Sequence, residues 1–210
     1  MKRYLAVALA ITTITTATLA AQTASTAGWK QRIDKSTNAS DPDPAGEVKF
    51  TAMAGGFHTS NPSAAIFWNP KNTLTGTYTL KATFAQNQRS SHPNYLGLLF
   101  GGSNLDGPNP TYTYFTVAQN GTWLVKQMNG MTAKDIVARS KHDAIVQIDA
   151  AGKAVNTLEV RVLADKIDYV VNNTVVGSSP KAGITTDGIY GFRINHALPD
   201  VMITGLSAGK

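Results

Sequence analysis

Between residues 77 and 84 apolar and polar side chains alternate without a break. Tyr78, Leu80, Ala82 and Phe84 fall on one side of an extended chain, and Thr77, Thr79, Lys81 and Thr83 fall on the other. Leu158, Val160 and Val162 repeat the pattern against Glu159 and Arg161. A period of two marks a strand that buries one face and wets the other, as antiparallel sheets do. Runs rich in β-branched and aromatic residues recur at Val48–Met53, Ala64–Trp68, Tyr95–Phe100, Thr111–Ala118, Thr122–Met128, Ile145–Ile148, Lys166–Val171, Thr174–Val176, Ile189–Ile194 and Val201–Leu206. Turn residues separate them, and this spacing predicts an all-β antiparallel sandwich. Met131–His142 has few apolar residues at helical spacing, so a helix and an irregular crossover both stay open.

One hairpin decides which residues face outward. Thr111–Ala118 and Thr122–Met128 flank Asn120-Gly121. A three-residue loop with Gly121 left-handed in a bulge pairs Val117 with Trp123 and Phe115 with Val125. That register gathers Phe115, Val117, Trp123 and Val125 into a core face and sends Tyr112, Tyr114, Thr116, Leu124 and Lys126 to the other. A slip of one residue would invert both faces. The bulged register segregates apolar from mixed surface better, and it is the one expected.

Composition narrows the setting. Met1-Lys2-Arg3, the apolar run Leu5–Leu19 and the small residues Ala20 and Ala21 have the pattern of a secretory signal peptide over residues 1–21. The expected product is exported, periplasmic or secreted, with no membrane insertion after the signal is removed. It comprises residues 22–210 as a single domain. There is no cysteine, which excludes a disulfide framework, a thiol nucleophile and cysteine-bound zinc. Removing Lys2 and Arg3 with the signal takes the net charge from +6 to +4. The cations are scattered rather than striped, so no nucleic-acid partner is expected.

Further residues carry a resemblance. The stretch Asn156–Val162 followed by Lys166–Val176, with Asn172-Asn173 at the turn, is similar to a hairpin of concanavalin A-like lectin and glucanase jelly rolls. Gly188–Arg193 with Val201–Leu206 resembles their closing strands, and Gly28-Trp29-Lys30 their opening one. Within that superfamily the likeness is to laminin-G-like and 3-keto-disaccharide hydrolase-like domains. The resemblance implies a jelly roll of two curved sheets with a concave ligand-binding face. It also implies that the first strand, near Trp29–Ile33, pairs with the last, Val201–Leu206. A carbohydrate-binding or carbohydrate-associated role follows from it, with a hydrolase or lyase of oxidised (3-keto) sugars as the alternative. A non-catalytic structural envelope protein is the third reading.

The candidate chemistry is sparse. Glu47 and Glu159 are the only glutamates, and no Glu-x-Asp-x-x-Glu pattern supplies the paired carboxylates of a retaining glycosidase. There is no Gly-x-Ser-x-Gly elbow and no phosphate loop. Tyr112, Tyr114 and Lys126 on the outward face form a candidate sugar platform, because rings stack on apolar sugar faces. Arg193 and His58 are weaker additions, and Trp68 and Tyr95 are further candidate rings. Asn104, Asp106 and Asn109 sit in a carbonyl-rich loop that suits calcium, although the same residues also suffice to make turns. Asp41 and Asp43, each before a proline, read the same way. His58, His92, His142 and His196 lack local zinc-ligand spacing, which leaves only convergence of His58, His92 and His196 in space.

Overall fold

The computed structural model describes residues 24–210, all of them in strands and connections. The expected signal peptide, residues 1–21, lies outside the described residues. The strands are β1 (Lys30–Asp34), β2 (Lys49–Met53), β3 (Gly56–Asn61), β4 (Ala64–Leu74), β5 (Tyr78–Gln86), β6 (Tyr95–Ser103) and β7 (Thr111–Ala118). They continue as β8 (Thr122–Asn129), β9 (Thr132–Lys141), β10 (Ala154–Val162), β11 (Lys166–Val171), β12 (Thr174–Pro180), β13 (Gly188–Ile194) and β14 (Leu198–Gly209). Two seven-stranded antiparallel sheets result, in the orders β1-β4-β13-β6-β7-β8-β9 and β12-β11-β10-β5-β14-β3-β2. Among the described residues no helix is long and apolar enough to cross a membrane.

The alternation seen in the sequence becomes the interface between the sheets. Tyr78, Leu80, Ala82 and Phe84 of β5 and Leu158, Val160 and Val162 of β10 pack against Phe67, Leu98, Phe115 and Phe192 of the first sheet. Each such side chain contributes about 1.5–3 kcal/mol by leaving water. Trp29 closes one edge, stacked on Phe192 at 5.3 Å and tilted against Phe57 at 4.7 Å.

The β7–β8 hairpin has the bulged register. Phe115 lies opposite Val125 and Val117 opposite Trp123. Gly121 has φ +79°, and its N–H donates to the Ala118 carbonyl at 3.0 Å. A residue with a Cβ is strained at that φ, so glycine holds the turn. Asn172 and Asn173 likewise take positive φ, +49° and +67°, between β11 and β12.

Three expectations are corrected. Met131–His142 is neither helix nor crossover but the edge strand β9, whose alternation is scrambled by two register shifts against β8. Ile145–Ile148 is not a strand, because its backbone is claimed by side chains: Asn156 exchanges two hydrogen bonds with Val146. The first and last strands do not pair. β1 pairs with β4, while β14 is flanked by β3 and β5, which use both of its edges.

Candidate functional site

The outer face of the first sheet is built from alternate residues of its strands. β1 contributes Lys30, Arg32 and Asp34, aligned with Trp68, Ile66 and Ala64 of β4. β13 brings Arg193 opposite Ile66, and β7 brings Tyr112, Tyr114 and Thr116. β8 adds Leu124 and Lys126, and Lys126 lies between Tyr114 and Asp135 of β9 in register.

Half of this face is covered. Ile66, Trp68, Leu99 and Tyr112 form a small apolar cluster that is sealed by Leu105, from the loop after β6. Lys30 and Arg32 pin that loop down: Lys30 pairs with Asp106, and Arg32 Nη1 donates to the Gly107 carbonyl at 2.7 Å. The loop holds its own shape with Asn104 at φ +52°, the Gly107 N–H donating to the Asn104 carbonyl, and Asn104 Nδ2 donating to the Asn109 carbonyl.

The other half is more polar and only partly covered, with Tyr114 and Lys126 half-buried. Arg193 stands at its centre with 14% of its side chain exposed. Its guanidinium pairs with Asp34, lies 5.9 Å from the Tyr114 ring centroid and comes within 3.5 Å of the Tyr112 hydroxyl. Burial alone would lower the Arg193 pKa, but the neighbouring Tyr112, Asp34 and Tyr114 outweigh it and raise it, so the guanidinium stays charged. Burial pushes the Tyr112 phenol up to about 12 and raises Tyr114 as well, so both remain neutral hydroxyl groups. Lys126 and Asp135 form a second pair at 3.1 Å on the far side of Tyr114. Thr116, next along β7, is buried with its hydroxyl unpartnered. At the β1 end the face opens into a depression of about 320 Å³, lined by Asp34, Thr37, Asn38, Arg193, Asn195 and His196.

Of the residues singled out in the sequence, Tyr114, Lys126 and Arg193 come together on this face. Tyr112 shares the face, but Leu105 and Trp68 cover it, leaving it 2% exposed, so it supports the surface rather than forming it. Trp68 is buried in the same cluster. Tyr95 is also buried, its hydroxyl bonded to Thr122 and its ring 5.5 Å from the Arg139 guanidinium. His58 does not belong here: it lies on β3 of the other sheet, 3.1 Å from Asp200. In the loop expected to suit calcium, the Asn104 and Asp106 side chains are engaged in the turn and with Lys30, and Asn109 lends its carbonyl to Asn104. His92 and His196 do converge, at the end of the sandwich and without His58. Asp34, Asp135 and Asn195 were missed. The Arg32-x-Asp34 spacing, which puts both charges on one face of a strand, was a usable signal for the first.

No protein-family model matches the chain, and no curated protein matches it. Solved structures do. The carbohydrate-binding module CBM66 from Bacillus subtilis superposes with a TM-score of 0.59 over 87% of this chain and 96% of that one, at 11% identity. A Bacillus subtilis protein of unknown function with a galectin-like fold gives 0.55 over 87% and 89%, at 12% identity. The carbohydrate recognition domain of Emp47p gives 0.52 over 86% and 87%, at 14% identity. The likeness is one of fold: the two-sheet jelly-roll sandwich that these structures share.

Proposed function

We propose that the protein is an exported carbohydrate-binding domain whose ligand, a glycan or small sugar, lies on the open half of the first sheet's outer face. The observation that carries this reading is the half-buried Tyr114 ring, set between the Arg193–Asp34 pair and the Lys126–Asp135 pair. A ring offers its face to sugar C–H groups, and charged donors and acceptors on both sides offer hydrogen bonds to hydroxyls. Two of the similar solved structures are named as a carbohydrate-binding module and a carbohydrate recognition domain, which supports the reading. The carboxylates on this face, Asp34 and Asp135, are both held by cations, which favours binding over acid–base hydrolysis of keto sugars. A glycan array probed with tag-free protein, with and without a chelator, tests it. Selective binding that is lost in Tyr114→Ala and in Lys126→Ala is expected. An array bound by neither wild type nor chelated protein would refute it.

A further inference from the structure

Three loops meet at the end of the sandwich next to the depression that holds Asp34 and Arg193. The β1–β2 loop brings Asp41 and Asp43, the β5–β6 loop brings His92, and the β13–β14 connection brings His196. Pro42 and Pro44 disfavour helical backbone at the aspartate before each of them. An extended segment with two-residue spacing then turns both carboxylates to one side. One Asp41 oxygen lies 3.0 Å from His92 Nε2, and the other lies 3.3 Å from His196 Nε2. One donor atom each from Asp41, His92 and His196 falls within 4.8 Å of the others.

We propose that Asp41, His92 and His196 bind a divalent transition-metal ion of the zinc class, with a fourth coordination position left open. Two imidazoles and one carboxylate suit zinc, cobalt, nickel or iron(II), whereas calcium wants oxygen ligands throughout. Tetrahedral zinc, with bonds near 2.0–2.1 Å, places its donor atoms about 3.3 Å apart, and each imidazole lies near that distance from one or the other oxygen of the Asp41 carboxylate.

A second observation bears on the same ion. His196 Nδ1 lies 3.1 Å from Asp43 Oδ1. Asp43 is fixed in turn by the Ser36 N–H, which donates to its other oxygen at 3.0 Å. An Nδ1–H donated to Asp43 leaves His196 Nε2 with a lone pair aimed at the Asp41 carboxylate. A metal ion between the two would take that lone pair and the Asp41 carboxylate together as ligands. A carboxylate behind a ligating histidine is the usual means of orienting such a ligand. His196 also lines the depression beside Asn195 and Arg193, so one ligand of the ion borders the end of the proposed sugar face.

The test is metal binding to the tag-free protein in the absence of any sugar, so it stands or falls apart from the carbohydrate reading. The protein is stripped with chelator and titrated with zinc by calorimetry, then with cobalt by visible spectroscopy. One ion per chain is expected, with the intense visible bands of four- or five-coordinate cobalt rather than the weak bands of octahedral cobalt. His92→Ala, His196→Ala and Asp41→Ala should each abolish those bands. Asp43→Asn should weaken affinity roughly 10–100-fold, as loss of an outer partner does. His58→Ala, in the unrelated Asp200 pair, should change nothing. Wild-type protein that takes up neither zinc nor cobalt at millimolar concentration would overturn the proposal, and so would uptake that survives loss of both His92 and His196. Because the wild-type spectrum alone can refute it, a variant that fails to fold does not rescue it.

Discussion

Replacing Tyr112 separates the covered half of the outer face from the open half. The side chain is 2% exposed, walled by Ile66, Trp68, Leu99 and Leu105. Truncating a buried aromatic to alanine costs about 3–5 kcal/mol. In a domain of this size that lowers the melting temperature by roughly 6–20 °C. Tyr112→Phe removes only the hydroxyl, whose contact with Arg193 is long at 3.5 Å, and should cost less than about 1 kcal/mol. Tyr114 is half-buried, so Tyr114→Ala should cost only about 1–2 kcal/mol of stability while removing the exposed ring. The assay is thermal and urea unfolding of the three variants beside wild type. A Tyr112→Ala protein that melts within a degree or two of wild type would show that Leu105 does not seal this cluster. The division of the face into a covered and an open half would then fail.

Two further outcomes follow from the same structure. A chain ending at Asp200 loses most of β14, the strand between β3 and β5, and should not fold cooperatively; a sharp melting transition in that truncated protein would show β14 to be peripheral. Asp168 accepts from the Ser178 hydroxyl, at 2.6 Å, and from Lys166, and these hold its carboxyl below the usual 3.8. A lowered folded-state pKa stabilises the fold above the ordinary value, and the effect disappears as pH falls through the lowered one. Melting curves of wild type and Asp168→Asn should therefore differ near neutral pH and converge as pH falls below the usual carboxylate value of 3.8. Curves that stay parallel throughout would contradict the assignment.

Much of the fold was legible because strands such as β5 and β10 bury one face and expose the other. β5, β10 and the β7–β8 hairpin show a period of two that no bulge interrupts, and Gly121 declared its own turn. β9 was illegible because two register shifts break its alternation. β3 was missed because it buries Thr59 and Asn61, bonded to each other, where an apolar residue would have marked the strand. The site was only partly legible for a different reason. The alternation placed Tyr112, Tyr114 and Lys126 on one face, but it carries no information about which loop folds back over that face. Leu105, seven residues before Tyr112 in sequence, decides that Tyr112 is fully buried while Tyr114 is only half-buried. Pairing of Arg193 with Asp34, and of Asp41 with His92 and His196, spans distant parts of the chain that only the strand order brings together.

The central claim is that a sugar occupies the open face around Tyr114. Titrating the best array ligand into isotope-labelled protein, and following backbone and side-chain resonances, tests it most directly. The account predicts saturable shifts concentrated at Tyr114, Thr116, Lys126, Asp135 and Arg193, with β3, His58 and the outward side of β10–β12 unmoved. Saturable shifts confined to the other sheet, with Tyr114 and Lys126 unchanged, would contradict it.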